Sequence, residues 1–483
     1  MRPLSAVVLA AGEGTRMRSE RPKPLHRLCG RPMVLHVLDA IAELDVDRAV
    51  VVVGHGAERV TKALGEQGPP GLTIEYVDQA VQAGTGDAAS VAMTAFAGDD
   101  DLLDDDDEAD IIVLPGDTPL LRSPTLAALV RHHRTEHNTA TVLTAKLHDP
   151  TGYGRIVRRR DDRVERIVEH KDASAEQREI DEINVGIFVF RRSLLAPALR
   201  RLSPANAQGE YYLTDTVEVL AAAGHRVGTM VMEDPMEAAG INDRAQLAAA
   251  AAVLRTRRLT ALMVSGVTVV DPATTYVDVD VVCEPDVTLL PGTSLLGRTV
   301  VQRGAVVGPW STLTDTTVRP GAVVESSTCR GAEIGPDSSV GPYAFLRPGT
   351  RLGRRAKVGA YVETKNAVIG DDSKVPHLAY AGDVVIGARS NVGAGTIVVN
   401  YDGVAKHRSI LGDDVRVGSN NSLVSPVHIG DRAYTAAGSV ITSDVPAAAL
   451  GVGRALQRNI EGWVTRRRGT GTGTAGHGGE DAT

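Results

Sequence analysis

The sequence predicts two architectures in series: an α/β domain with a mainly parallel sheet, joined by a helix to a parallel β-helix. Three observations carry this expectation. Apolar strand-like runs alternate with helix-like segments as far as about residue 234, an Ala/Leu/Arg-rich stretch follows, and beyond it an aliphatic residue returns at every sixth position. Alternation of the first kind places helices over a parallel sheet. A six-residue period fits neither the 3.6-residue helix nor the two-residue strand, so it signals short flat strands that turn a corner after each unit.

The strand-like runs are 5–10, 49–53, 73–77, 111–114, 139–145, 185–190 and 227–232. Ligands of such folds sit beyond the carboxyl ends of the strands, so motifs that follow strands carry most weight. The acidic run 99–108 reads as a solvated loop. Residues 244–262, with Asn242-Asp243 as a cap, read as a connecting helix. The repeats begin imperfectly after Gly266 (Val281, Val287; Val301, Val307, Leu313) and then become regular through Ile334, Val340, Leu346, Leu352 and Val358. A second in-phase series is Leu411, Val417, Leu423 and Ile429, and each such side chain is expected to face one buried column. The recurring glycines, Gly335, Gly341, Gly353, Gly359, Gly393, Gly418, Gly430 and Gly438, are expected at corners that need positive φ. The domain boundaries read from these patterns are 1–240, a linker helix 241–265, a β-helix 266–465 and a disordered tail 466–483.

Composition narrows the class of function. The chain has 483 residues and a net charge of −8, so two or three domains are expected and a general nucleic-acid surface is not. Aromatic residues make up only 3%, which suits a solenoid better than an aromatic-cored barrel. Cys29, Cys283 and Cys329 have neither disulfide-framework nor zinc spacing, so a reduced, cytoplasmic protein is the simplest expectation. The apolar start is too short for a signal peptide, and no run approaches a membrane span.

Directly after the first strand come Leu9, Ala10, Ala11, Gly12, Glu13, Gly14, Thr15 and Arg16, with Lys23 close behind. A Gly-rich strand-to-helix turn brings backbone amides to a phosphate, and Arg16 and Lys23 would neutralise a triphosphate and a departing pyrophosphate. The spacing is neither that of a P-loop nor that of the dinucleotide fingerprint, and an ordinary βα turn is the competing reading. A second strand ends in Pro115-Gly116-Asp117, where one carboxylate suits magnesium, although a capping Asp is also consistent. Within the repeats the six-residue phase slips near Ile369 and Ile386 and again between Val392 and Leu411. Polar residues gather there: Lys365, His377, Tyr380, Asn391, Asn400, Tyr401 and Lys406. Slips in a repeat array map to loops on one face, often the binding face. His377 is suited to proton transfer near neutrality, but a lone His is more often structural.

Taken together, LAAGEGTRM, Lys23, Gln79 with Gly84-Thr85, PGDTPLL, DPTGYGRI, IVEHKD, EINVG and NAQGEYYLTD, followed by a hexapeptide solenoid, resemble the bacterial bifunctional GlmU family over about residues 5–460. The resemblance implies a Rossmann-like nucleotidyltransferase domain and a left-handed β-helix acetyltransferase domain. The implied enzyme acetylates glucosamine-1-phosphate with acetyl coenzyme A, then transfers uridylyl from UTP with magnesium, releasing pyrophosphate and supplying peptidoglycan and other envelope precursors. In the first domain, Leu9, Ala10, Ala11, Gly12, Lys23, Gln79, Gly84 and Thr85 would hold UTP. Gly154, Glu169, Asn184 and Asn242 would hold the acetylated sugar phosphate, Asp117 and Asn242 the metal, and Arg16 with Lys23 the reacting phosphates. In the second, His377 would be the general base, while Arg347, Lys365, Tyr380 and Asn391 bind the sugar phosphate. Ala394, Asn400, Tyr401, Ser419, Ala437 and Arg454 would line the acetyl coenzyme A groove. A homotrimer with composite acetyltransferase sites is further implied.

Two departures stand out. Glu13 replaces the Lys or Pro of relatives and would weaken triphosphate binding unless it faces solvent, and Val375-Pro376 replaces a smaller Ala-Gly pair. Two other readings stay open: a nucleotidylyltransferase whose β-helix only oligomerises or regulates it, and a degenerate scaffold subunit. Intact Arg16, Lys23 and Asp117 argue against the scaffold; His377 with Lys365 and Tyr380 argues against the single-activity enzyme.

Overall fold

The computed structural model describes residues 2–97 and 109–468. The acidic run 99–108 and residues 469–483 of the expected tail lie outside the described residues. By contact density the chain divides into two compact units, residues 1–300 with 313–315, and residues 301–312 with 316–483.

In the first unit, strands Val227–Val231, Ala140–Lys146, Glu182–Arg191, Asp110–Pro115, Leu4–Leu9, Arg48–Val53 and Ile74–Asp78 lie side by side in that order. All seven sequence-predicted strands are present. Pairing is parallel except at Glu182–Arg191, which runs antiparallel to both neighbours. The apolar runs are continuous because both faces are covered: Ala6 and Val8 pack into one cluster with Leu38 and Ile41, and Val7 into another with Val50 and Phe188. A hairpin of Arg155–Arg158 and Val164–Val168 attaches at Ile183. It escaped the sequence reading because arginines and acids interrupt its apolar residues.

The connecting helix runs Arg244–Val264, starting where the Asn-Asp cap predicts. Asp243 accepts from the Gln246 amide nitrogen at 2.8 Å, and the Gln246 side chain returns to the Asn242 amide nitrogen at 2.7 Å. This reciprocal cap satisfies two otherwise orphaned donors and fixes Asn242. Beyond the helix, still in the first unit, Thr268–Val269 pairs parallel with Thr288–Leu289, and Tyr276–Val277 with Ser294–Leu296.

The second unit consists of short strands stacked in parallel on three faces, as a parallel β-helix requires. Ile334, Val340, Leu346, Leu352, Val358, Leu411, Val417, Leu423 and Ile429 are all buried, so the predicted column exists. Successive rungs pair Val340 with Val358 and then Val358 with Val375, a spacing of 18 and then 17 residues. From Ile386 to Leu411 the spacing is 25, because residues 400–408 leave the coil as a hairpin. The final helix Trp463–Arg468 carries the basic cluster Arg466–Arg468 that the sequence placed in the tail.

Six of the eight corner glycines serve a different purpose from the one expected. Of the eight named above, only Gly341 and Gly438 have positive φ. Along one edge the left-handed bends fall instead on Asp337, Arg355, Asp372, Arg389, Asp414 and Arg432, with φ between 52° and 63°. Each lies two residues after a glycine whose role is to let the next rung approach: a Cβ on Gly335 would stand 2.2 Å from the Gly353 carbonyl oxygen. The six bend residues alternate in sign along one edge, and neighbours pair, Arg355 with Asp372 at 2.7 Å and Arg389 with Asp414 at 2.8 Å.

The two roles of glycine are separable by experiment. Because Gly335 does not have positive φ, backbone conformation alone would let Ala there stabilise the protein by about 0.4–1 kcal/mol. Steric exclusion predicts the opposite, a loss of about 1–3 kcal/mol for Gly335→Ala, read from the midpoint of urea unfolding.

Candidate functional site

The first site lies at the carboxyl ends of the first unit's central strands. Strand Leu4–Leu9 hands the chain to Ala10, whose amide donates to the Val52 carbonyl at 2.9 Å, while Gly116 donates to the Leu9 carbonyl at 2.9 Å. These bonds carry the pairing to the strand ends, beyond which the loops line an open cleft of about 400 Å³. Leu9, Ala10, Ala11, Gly12, Lys23, Gln79, Gly84, Thr85, Asp117, Glu169 and Asn184 line it, gathering residues far apart in sequence. Glu13 is exposed.

At the cleft mouth the Lys23 ammonium donates to the Asp117 carboxylate and to Asn242 Oδ1, the latter at 3.1 Å. Arg16 reaches the same Asn242 oxygen at 3.0 Å. Four sequence-predicted residues therefore converge on one point. Gly14, with φ of 65°, makes this possible: a Cβ there would stand 2.6 Å from Lys23 Cβ. Asp117 and Asn242 supply two hard oxygen donors that already share one cation, the Lys23 ammonium, so they are spaced to share a divalent metal with phosphate oxygens.

Deeper in, Gln79 is buried and its Nε2 donates to Asp87 Oδ2 at 2.7 Å and to the Gly84 carbonyl at 3.2 Å. Because a carboxylate only accepts, Asp87 fixes the amide with Oε1 as the remaining acceptor. The segment carrying Tyr211, Leu213 and Thr214 closes the far wall: Gly86 donates to the Tyr211 carbonyl at 2.7 Å, and Leu213 donates to Thr85 Oγ1 at 3.0 Å. Thr214 donates to Glu169 at 3.1 Å. Gly154 lies against Glu169, and its carbonyl accepts from the Asn184 amide nitrogen at 2.9 Å. Burial, opposed by the Thr214 bond and assisted by Asp172, pushes the Glu169 carboxyl above its ordinary range. Asp215 is pushed up to about 6, chiefly by burial and then by Glu218, Glu169 and Asp172.

The second unit presents a second group of residues along one corner of the coil. Gly395 donates to the His377 carbonyl at 3.3 Å, Asn420 to Ala394 at 2.7 Å, and Gly438 to Ser419 at 2.8 Å. His377, Ala394, Ser419 and Ala437 thus occupy successive rungs of one edge, and the Arg454 side chain runs past Gly438. His377 is exposed, which leaves its imidazole accessible. Past the corner at 378–379, Tyr380 pairs with Glu363 and Ile397 in the next stack. Arg347 bonds Glu363 at 2.9 Å, and the Lys406 amino group beside Lys365 is the main influence holding that lysine below its ordinary range. Tyr401 and Lys406 form the bridge of the 400–408 hairpin. Asn391 stands apart from this group, between Lys374 and Arg416 in the stack that carries His377. Val375, one of the two departures, is buried in the interior column and Pro376 is half-buried, so the larger pair fits within the coil.

Three residues of these sites were not singled out from sequence. Gln82 donates to the Ala11 carbonyl at 2.7 Å and lines the cleft; its three-residue spacing from Gln79 in a post-strand loop was the available signal. Asp87 and Asp383 gave none, because each acts through an amide that only the fold brings near.

Comparison with known proteins agrees with this geometry. The family model described as nucleotidyl transferase matches residues 5–236, and the one described as GMPPB C-terminal domain matches residues 330–430. The bifunctional protein GlmU of Streptomyces coelicolor is 53% identical over 97% of this chain and 95% of its own length. Those of Thermobifida fusca and Mycobacterium bovis are 51% and 48% identical, over 97% and 96% of this chain and 95% and 92% of theirs. Identity of this extent spans both the cleft at Lys23 and Asp117 and the edge at His377, and the chain belongs to the GlmU family of bifunctional proteins.

Proposed function

We propose that the chain converts glucosamine-1-phosphate to UDP-N-acetylglucosamine in two steps, one in each unit. The convergence of Lys23, Arg16, Asp117 and Asn242 at the mouth of a cleft with a fixed amide, Gln79, at its base is the observation that carries the first assignment.

In uridylyl transfer the uracil lies over Gln79. With Nε2 held by Asp87, Oε1 accepts from the uracil N3–H; cytosine presents an acceptor there instead and is disfavoured. Glu169, Asn184 and Gly154 hold the acetylated sugar so that its phosphate oxygen faces the α-phosphorus of UTP. The new O–P bond forms as the bond to pyrophosphate breaks, and Lys23 and Arg16 neutralise the charge moving onto the leaving group. Magnesium bound by Asp117 and Asn242 would add charge neutralisation at the phosphates. Lys23 then gives up its bond to Asp117 in favour of phosphate oxygens.

In acetyl transfer Arg347, Lys365 and Tyr380 hold the sugar phosphate. His377 takes a proton from the sugar amine, whose nitrogen attacks the thioester carbonyl; the C–N bond forms, the C–S bond breaks, and coenzyme A leaves as the thiol. The groove for acetyl coenzyme A follows the edge of Ala394, Ser419 and Ala437 toward Arg454, with Asn400 and Tyr401 beside it. A trimer of β-helices would complete each such groove with residues of a second subunit, in a cytoplasmic setting where UTP and acetyl coenzyme A are available.

The two sites are expected to fail independently. Asp117→Ala should lower pyrophosphate release by at least about 10²-fold while sparing acetylation. His377→Ala should do the reverse, losing about 10²–10⁴-fold in thiol release from acetyl coenzyme A with glucosamine-1-phosphate. Equal damage to both activities by either variant would refute two separate sites.

Glu169 supplies a pH test. Its raised pKa means that protonation, and loss of the acceptor for sugar hydroxyls, begins at a higher pH than for an ordinary carboxyl near 4.5. KM for N-acetylglucosamine-1-phosphate should therefore rise as pH falls through the mildly acidic range. Glu169→Gln should raise KM at neutral pH and flatten that rise, and an unchanged pH profile would remove Glu169 from sugar binding.

A further inference from the structure

Asp383 lies beneath the second site, only 9% exposed, in a left-handed bend with φ of 48°. Its two carboxylate oxygens are taken by two amides: Oδ1 accepts from Asn366 Nδ2 at 2.8 Å and Oδ2 from Asn400 Nδ2 at 2.5 Å. Burial opposes its charge, but the two amides and the nearby Lys365 and Lys406 hold the carboxyl below its ordinary range, so it is an anion that only accepts. An Asn side chain against such a group has one permitted orientation. The Asn400 NH₂ must face Asp383, with the Tyr380 hydroxyl also 3.5 Å from it, and Oδ1 must face the other way.

Asn400 is also where the chain leaves the coil for the 400–408 hairpin, and its carbonyl accepts from the His407 amide at 2.8 Å. Asp383 is tied to the same excursion, because its carbonyl accepts from the Ser409 amide at 3.1 Å. Asp383 thus holds the root of the hairpin through its main-chain carbonyl and the direction of the Asn400 amide through its carboxylate. It also places a negative charge near Lys365 and Lys406, whose like charges oppose each other.

We infer that Asp383 is a positioning residue for acetyl transfer: it locks the Asn400 amide so that Oδ1 stands as the acceptor for the amino group of the amino-sugar phosphate as that nitrogen attacks. This rests on the assignment of acetyl transfer to the site around His377. An acceptor at that place selects an amine, which offers N–H, and orients its lone pair toward the thioester. Asp383 touches no reacting atom itself.

The test is a charge swap in the full-length chain, with pyrophosphate release as the control for protein integrity. In Asp383→Asn one carbonyl oxygen must serve two amide donors, so Asn400 is released and kcat for acetyl transfer should fall about 10–100-fold. KM for glucosamine-1-phosphate should not rise, because removing an anion near Lys365 and Lys406 favours phosphate. In the double variant Asp383→Asn with Asn400→Asp, the amide now at position 383 accepts from Asn366 and donates to the carboxylate now at position 400, whose other oxygen again faces outward. There kcat should return to within about fivefold of the unmodified protein. Wild-type kcat in the single variant overturns the inference. So does a swap that restores the melting temperature without restoring kcat, or a single variant whose loss falls on KM alone. If the unmodified protein releases no thiol, the assignment of acetyl transfer fails, and that result is distinct from any pattern among the variants.

Discussion

Backbone-to-backbone stacking of the rungs is the constraint on which the second unit depends. Each rung donates its amides to the one beside it, so the coil has no room between layers for side chains at the glycine positions. The aliphatic column fills the interior, but the approach of the layers is set by what is absent at Gly335, Gly353 and Gly359. A fold this tightly stacked tolerates an irregular segment only where it can leave sideways. Residues 400–408 do so, and they carry Tyr401 and Lys406 beside Lys365 and Tyr380. The polar side chains proposed for acetyl transfer are thereby gathered beside the longest interruption of the repeat, with regular rungs on both sides.

The two sites share a device. In the first unit Asp87 directs the Gln79 amide, and in the second Asp383 directs the Asn400 amide. An amide is a poor discriminator when it is free to flip, because it offers a donor and an acceptor of nearly equal shape. Held against an ionised carboxylate it becomes a fixed acceptor. In the roles proposed for Gln79 and Asn400, that arrangement would serve recognition of a uracil N–H and of a sugar amine. In the first unit Lys23 is a further bridging group, a cation that spans Asp117 and Asn242.

Much of this was legible in the sequence. The seven strands, the helix cap at Asn242-Asp243 and the buried column follow from local periodicity, which a single chain displays openly. The convergence of Arg16, Lys23, Asp117 and Asn242 was anticipated from strand-end motifs and family resemblance, since such motifs face one cleft in a parallel sheet. Asp87, Asp383 and the 155–168 hairpin were not. The two acids act on amides reached through folding, and the hairpin lacks a two-residue alternation because arginines and acids interrupt its apolar residues. Six of the eight corner glycines were found but misread, because positive φ and close approach favour the same residue, and only the fold separates them.

The alternating edge of Asp337, Arg355, Asp372, Arg389, Asp414 and Arg432 bears on how such a coil can change length. Exposed pairs of this kind contribute little to stability, about 0–1 kcal/mol each. Their order matters more than their strength. Removing one turn from the coil would set Asp beside Asp or Arg beside Arg at the junction, whereas removing two adjacent turns would leave the alternation unbroken. Along this edge the protein therefore has a parity, and gain or loss of turns in pairs is the change in length that its surface charges can accept.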